Sequence, residues 1–232
     1  DKLVLAALGD ADPAVRRHAI RLSEPFLASD SKVLNGVLKL VDDADSQVQL
    51  QLAYTLGTTT DPHVPEALAR IAARNASDPF VMGGVWSSVG KENVVAVTQA
   101  MLKQAAAGKL QPSMLASAIR LIAELRTEQD VLAFAEALHA AASPDDPEWQ
   151  LATAALVEQS HRKSLGIEKV QQLAAPMVAA ARDRLEAEEG DESQQLAALK
   201  LLVASGAQGD DLLPLLKRLL EPQNSPAVHR AA

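Results

Sequence analysis

Apolar residues recur along most of this chain with the period of an α-helix, and polar residues fill the positions between them. Two consecutive stretches show the pattern, with apolar residues first at Val48, Leu52, Ala53 and Leu56 and then at Val64, Ala67, Leu68 and Ile71. Spacings of three and four residues place each set on one face of a helix, so the pattern predicts a succession of amphipathic helices. Two short helices of this kind cannot bury their apolar faces alone, and we therefore expect neighbouring pairs to stack in a row.

A short motif marks the start of each predicted helix pair. It reads Asp12-Pro-Ala-Val15, Asp45-Ser-Gln-Val48 and Asp78-Pro-Phe-Val81, and the three copies are evenly spaced along the chain. The aspartate can accept hydrogen bonds from free N–H groups at the helix start, and proline fits the next position because no donor is needed there. The fourth residue is then the first that faces the core. Further copies extend the pattern, so we predict a single repeat array over residues 1–232, with units that start near 12, 45, 78, 111, 146, 191 and 225.

Three other kinds of position in the units lead to predictions: a glycine after the first helix, a tryptophan in the core, and the residue that follows the motif. Gly57 and Gly90 have the same separation as the motif copies and follow the first helices of their units, where a left-handed glycine commonly ends a helix. Trp149 replaces the core valine of its unit and is predicted to be buried. Arg16 follows Val15, but later units replace this arginine, so a ladder of charges between units is mostly missing. The replacing residues are Gln49, Met82, Leu115 and Gln150.

The two ends of the sequence favour a piece of a longer polypeptide. The chain begins at Asp1 without a methionine or a basic and apolar leader. It ends in Ser225-Pro-Ala-Val228 and four further residues, a pattern typical of a helix that has just begun. We expect both ends of the array to be truncated.

The motif copies resemble the HEAT-repeat family over nearly the whole chain. The segments Asp12-Pro-Ala-Val-Arg-Arg-His-Ala19 and Asp45-Ser-Gln-Val-Gln-Leu-Gln-Leu-Ala-Tyr-Thr-Leu-Gly57 carry this resemblance. It implies an all-α fold, an α-solenoid built as a right-handed superhelix of about six to seven helix pairs. In HEAT arrays the second helices line the concave face, which binds extended partners.

A narrower resemblance is to the helical-repeat segment of bacterial PVC-type membrane-bound dehydrogenases. The segments Arg17-His-Ala-Ile-Arg-Leu-Ser-Glu-Pro25 and Trp149-Gln-Leu-Ala152 are among those that carry it. Such proteins are exported and place a sugar-dehydrogenase-like propeller before the repeats and a c-type haem domain after them. This resemblance implies an extracytoplasmic, periplasmic location and a role as a spacer between redox domains.

Composition and charge exclude several classes of protein. Apolar residues make up 48% of the chain, too many for general disorder, and they form no run long enough to span a bilayer. The three Phe, two Trp and one Tyr are too few to favour an all-β sandwich. The formal charge of −8 disfavours nucleic-acid binding, and the absence of cysteine excludes disulfides and thiolate zinc sites.

The residues that could carry chemistry show no catalytic or metal-binding spacing. The five histidines are not spaced as metal ligands with each other or with carboxylates, and the chain has no glycine-rich phosphate loop. Ser87 and Ser88 have no neighbouring histidine and aspartate in the sequence that would predict a nucleophile. We therefore expect no catalytic residue, no metal and no cofactor in this segment.

One surface pattern predicts a binding site. Lys39, Arg70 and Lys103 recur at nearly the interval of the motif, so they occupy equivalent positions on the second helices of successive units. With two further cations they form what we call the basic stripe, which consists of Lys32, Lys39, Arg70, Arg74 and Lys103. A basic surface in an acidic protein suits an acidic peptide or another domain of the same parent chain, although a charged face on an amphipathic helix is also the ordinary solvated face.

These observations predict a non-catalytic protein-interaction or interdomain scaffold. The expected partner is a protein or a neighbouring domain of the parent chain, and we expect neither nucleic-acid binding nor membrane insertion by this segment. The alternative is a spacer in an extracytoplasmic dehydrogenase or cytochrome redox protein.

Overall fold

The computed structural model describes residues 2–187, 190–206 and Lys217. Throughout these residues the regular secondary structure is helical and no strand occurs. The chain divides into two compact units, unit 1 at Asp1–Leu110 and unit 2 at Gln111–Ala232. Among the described residues, no helix combines the length and the apolar character that crossing a membrane requires.

Unit 1 consists of seven described α-helices joined by short turns. They are α1 at Lys2–Leu8, α2 at Pro13–Ser23, α3 at Ser31–Leu38, α4 at Ser46–Leu56, α5 at Val64–Arg74, α6 at Pro79–Ser87 and α7 at Val94–Ala106. Short 3₁₀ turns follow α2 at Glu24–Phe26 and α3 at Lys39–Asp42. The first helices of successive repeats pack side by side, α2 on α4 and α4 on α6, and the second helices do the same, α1 with α3 and α5 with α7.

Unit 2 repeats this arrangement with longer helices. Its described helices are α8 at Leu115–Leu125, α9 at Glu128–Ala141, α10 at Pro147–Lys163, α11 at Ile167–Ala187 and α12 at Glu192–Ala204, and a 3₁₀ turn at Pro112–Met114 precedes α8. Helices α8, α10 and α12 form one row, and α9 packs on α11. The predicted all-α class and the solenoid stacking of helix pairs are thus confirmed within each unit. In each row, a helix buries an apolar face against the next helix of that row. The single array over residues 1–232 stays a prediction.

The aspartate motif starts helices at five of the predicted positions. Asp12 Oδ1 accepts a hydrogen bond of 2.8 Å from the N–H of Ala14, two residues later. Asp45 and Asp78 each accept two hydrogen bonds, from the N–H groups two and three residues later. Asp146 caps α10 by accepting from the N–H of Glu148. Asp191 caps α12 by accepting from the N–H of Gln194, whose side-chain oxygen accepts from the N–H of Asp191 in return. The start near 111 differs, since the chain forms a 3₁₀ turn there and α8 begins at Leu115 without a side-chain cap. The start near 225 lies outside the described residues.

The fourth motif residue faces the core in some units only. Val48 and Val81 are buried, as expected, but Val15 is 38% exposed and Leu22 on the same helix is 64% exposed. The expectation was wrong for α2 because α2 stands first in the row of described first helices, whereas α4 and α6 each pack against a preceding one. Trp149 is buried at 6% exposure, which confirms its core position.

The expected left-handed conformation of Gly57 and Gly90 is wrong. Gly57 has φ −68°, and Gly90 is not among the residues with positive φ. Gly57 is needed for space instead, since a Cβ placed there would lie 2.6 Å from the hydroxyl oxygen of Ser88. That hydroxyl donates a hydrogen bond of 2.8 Å to the carbonyl oxygen of Ala53, so the end of α6 lies directly on α4.

Candidate functional site

The basic stripe lies entirely in unit 1, on elements that contact one another. Helix α3 runs into the 3₁₀ turn Lys39–Asp42, which packs against α5, and α5 packs against α7. The stripe residues are distributed over these elements as Lys32 on α3, Lys39 in the turn, Arg70 and Arg74 on α5, and Lys103 on α7, and all five are exposed. Apolar residues on the same elements are buried, among them Val33, Val41 and Leu68. The stripe residues therefore lie on the outward sides of these elements.

Arg70 and Arg74 share one carboxylate that the sequence did not predict as part of the site. Arg70 Nη2 donates to Oδ2 of Asp42, and Arg74 Nη1 lies 3.8 Å from the other oxygen, Oδ1. The two arginines are four residues apart on α5, so both side chains reach the same turn. The position of Asp42 three residues after Lys39 is the signal in the sequence that could have suggested it as a site residue. Its pairing with Arg70, 28 residues later, depends on how the turn packs on α5.

A second polar contact links α5 to α7 beside the stripe. The side-chain amide of Gln104 donates a hydrogen bond of 2.9 Å to Oε1 of Glu66. Glu66 is four residues before Arg70, and Gln104 follows Lys103 directly. Helices α5 and α7 are therefore joined by polar side chains along this face.

The three lysines of the stripe differ from the two arginines in their surroundings. Lys32, Lys39 and Lys103 form no ion pair and no side-chain hydrogen bond with any residue that the structure describes. Asp30 accepts a hydrogen bond from the backbone N–H of Lys32 in the first turn of α3, but the lysine side chain is exposed. The structure therefore leaves three cations of the stripe available to a partner.

The aspartate next to Asp42 has a different role. Asp43 accepts hydrogen bonds of 2.7 and 2.9 Å from Arg16, and its side chain is only 5% exposed. These bonds, together with the backbone N–H of Asp45, hold the pKa of the Asp43 carboxyl below its usual value. Asp43 is thus a structural group between repeats, whereas Asp42 is a surface group.

A cavity of unit 1 lies apart from the stripe, between the helix–helix turns. It has a volume of about 500 Å³ and is lined by residues of the turns before α5 and α7, including Thr60 and Asp61, and by Ser87 at the end of α6. Asp61 accepts a hydrogen bond of 2.9 Å from the N–H of His63, which lowers the pKa of its carboxyl. The Ser87 and Ser88 hydroxyls donate to the backbone carbonyls of Gly84 and Ala53 rather than to a base.

No described group of three or more His, Asp or Glu side chains has an arrangement that could hold a metal ion. A cavity of unit 2, about 740 Å³ between α8, α10 and α12, has an apolar lining of four alanines with Leu151 and Val203. Its polar residues include Glu158, His161 and Lys200.

Comparison with known proteins finds one family that matches part of the chain. Residues 1–87 match the family model for HEAT repeats. The match covers the motif copies at 12, 45 and 78 and all of the basic stripe except Lys103, and it supports the HEAT-repeat resemblance over this range. Searches of curated proteins and of solved structures return no match. None of these comparisons supports the narrower resemblance to PVC-type dehydrogenases.

Proposed function

We propose that this chain is a non-catalytic protein-interaction or interdomain scaffold, and that the basic stripe receives an acidic segment. The segment would belong to a partner protein or to another domain of the parent chain. The main support is the exposure of three lysines, which pair with no described residue, beside two arginines on adjoining elements of stacked helix pairs. HEAT repeats, which match residues 1–87, are in general protein-interaction scaffolds.

The charge balance of the stripe favours an acidic partner. Among the described residues the five cations have one carboxylate as an ion-pair partner, Asp42, which pairs with Arg70 and Arg74, although the chain as a whole has a formal charge of −8. Opposite charges on two surfaces speed encounter and fix their register, and this attraction weakens as salt is added. A solenoid distributes such contacts over several repeats, so each single contact can be weak.

Charge reversal on the stripe tests the proposal. The probe is a fluorescently labelled glutamate-rich peptide, and its binding to the chain is followed by fluorescence anisotropy. We expect Lys39→Glu with Lys103→Glu to weaken binding about tenfold or more, since two exposed ion pairs are lost and two repulsions are added.

The matched control is Arg21→Glu with Lys109→Glu. Both residues are exposed in unit 1 outside the stripe, and the change in net charge is the same. We expect this control to weaken binding less than about threefold, through the general field of the protein alone. Equal losses in both double variants, or no binding by the unaltered chain, would contradict the proposal.

A further inference from the structure

The two arginines of the basic stripe already hold a carboxylate. We infer that Arg70 and Arg74 are the carboxylate-binding pair for an acidic partner segment, and that Asp42 occupies this pair in the free protein as a built-in competitor. This inference rests on the proposed function and names one element of its binding site. Its consequence is that the loss of the Asp42 charge should strengthen partner binding, whereas loss of a carboxylate elsewhere should not.

The geometry is that of a carboxylate that is hydrogen-bonded to the guanidinium group of Arg70 and lies 3.8 Å from that of Arg74. Each oxygen of Asp42 faces a different arginine, Oδ2 towards Arg70 and Oδ1 towards Arg74. Because guanidinium groups bind carboxylates through several N–H donors in fixed directions, two of them on one helix face offer a set of donors to such a group. The side chains are about half exposed, 44% for Arg70, 49% for Arg74 and 54% for Asp42, so a second carboxylate can reach both arginines.

The exchange of one carboxylate for another should cost little. Exposed ion pairs contribute little to stability because water solvates both partners well and salt screens them. The contrast is the adjacent Asp43, whose pair with Arg16 is mostly buried and has two short hydrogen bonds. The ion pairs of Asp42 with Arg70 and Arg74 can therefore break while the Arg16–Asp43 pair between the repeats stays formed.

The surrounding cations define the class of partner. Lys39 is three residues before Asp42 in the same turn, and Lys103 lies on α7, which packs beside α5. Both are unpaired among the described residues. A segment that fits this surface carries at least three carboxylates along an extended or helical stretch, one for the arginine pair and one for each flanking lysine. The occupant is thus an acidic peptide segment rather than a single small anion.

Asp42→Asn tests the inference because it keeps the size of the side chain and removes its charge. With the same glutamate-rich peptide and anisotropy measurement, we expect Asp42→Asn to bind about three- to tenfold more tightly than the unaltered chain. The matched control is Glu136→Gln, an exposed residue on α9 of unit 2, which gives the same change in net charge. We expect the control to change the affinity less than about twofold.

A second variant shows whether the gain passes through the arginines. Arg70→Gln with Arg74→Gln should weaken peptide binding, and adding Asp42→Asn to this double variant should give no further gain. A gain in Asp42→Asn no larger than in Glu136→Gln, a gain that persists without the two arginines, or a loss in Asp42→Asn would overturn the inference.

The outcomes separate this inference from the proposed function. If Lys39→Glu with Lys103→Glu weakens binding but Asp42→Asn does not strengthen it, the stripe is the binding site and the competitor role of Asp42 is wrong. If neither the unaltered chain nor Asp42→Asn binds the peptide, both the acidic partner and the inference fail. Thermal unfolding of each variant, expected to match that of the unaltered chain, excludes misfolding as the cause.

Discussion

The guanidinium group of Arg16 donates hydrogen bonds of 2.7 and 2.9 Å to the two carboxylate oxygens of Asp43, 27 residues further along the chain. Its remaining nitrogen, Nη1, donates to the backbone carbonyls of Asp10 and Ala11. One side chain thereby joins the turn before α2 to the turn before α4. The arginine of the motif therefore pairs with an acceptor in the turn that leads to the next unit.

The Arg16–Asp43 pair should make the stability of the chain depend on pH in the acidic range. The hydrogen bond from Arg16 is the main cause of the lowered pKa of Asp43. An unfolded aspartate titrates near pH 4, at about 3.9. Because the folded pKa lies lower, the unfolded state binds more protons as the pH falls, so the stabilisation is present above pH 4 and is lost as the pH drops through the folded pKa.

The variant Asp43→Asn should therefore unfold at a lower temperature than the unaltered chain at pH 7. The difference between the two melting temperatures should shrink as the pH falls from about 4 towards the lowered pKa of Asp43. Circular dichroism at 222 nm follows the unfolding, and Glu136→Gln serves as the carboxylate control with no expected difference. A difference that stays constant from pH 7 down to the acid limit would contradict the assignment.

Two glycines of unit 1 should respond to the same substitution in opposite ways. Gly57→Ala would place a Cβ 2.6 Å from Oγ and 2.8 Å from Cβ of Ser88, so α6 must move away from α4. We expect this overpacking to lower the free energy of unfolding by about 1–3 kcal/mol. Gly83 lies within α6, and a Cβ there meets nothing within 4 Å.

Gly83→Ala is therefore the matched control. We expect it to raise the free energy of unfolding by about 0.5–1 kcal/mol, since alanine loses less backbone entropy than glycine in a helix. Urea unfolding of both variants measures the two effects. A neutral Gly57→Ala variant would show that the α4–α6 contact is looser than the structure indicates.

The local features of the fold could be predicted from the sequence because they depend on neighbouring residues. An aspartate cap needs only the backbone N–H groups two and three residues later, so the motif predicts helix starts at Asp45 and Asp78 without knowledge of the fold. The amphipathic period likewise predicts which side of a helix is buried. It does not say whether a neighbour covers that side, which is why Val48 is buried and Val15 is exposed.

The candidate site depends on longer-range packing and was predicted only in part. The period predicts equivalent positions on second helices for Lys39, Arg70 and Lys103, whereas Lys39 lies in the 3₁₀ turn that follows α3. The carboxylate of Asp42 reaches Arg70 because this turn packs on α5. The role of Gly57 likewise depends on packing between helices that are distant in the sequence. Its place after a helix favoured a left-handed residue, but the close approach of Ser88 from the end of α6 is what excludes a side chain there.

Gln49 takes over the position of Arg16 in the next repeat and should be important for stability. Its buried amide nitrogen donates to the backbone carbonyls of Val41 and Asp43 at 2.8 and 2.9 Å and to that of Leu40 at 3.3 Å. Gln49→Leu would leave these carbonyls without this donor, and we expect it to lower the free energy of unfolding by about 1–3 kcal/mol. The exposed Gln47 on the same helix provides the control, since Gln47→Leu should change stability by less than about 0.5 kcal/mol. Urea unfolding distinguishes the two, and equal effects would mean that the amide contributes no more than a surface side chain.

Trp149 should contribute far more to stability than the aromatic residue of α4. It occupies the position of Val48 in its own repeat and is only 6% exposed, whereas Tyr54 is 48% exposed. Truncation of a buried aromatic residue removes its packing contacts and leaves a cavity, so Trp149→Ala should lower the free energy of unfolding by about 3–5 kcal/mol. Tyr54→Ala should cost less than about 1 kcal/mol, because half of its surface is already in contact with water. Urea unfolding followed by circular dichroism measures both, and comparable losses in the two variants would show that Trp149 is not the core residue of its repeat.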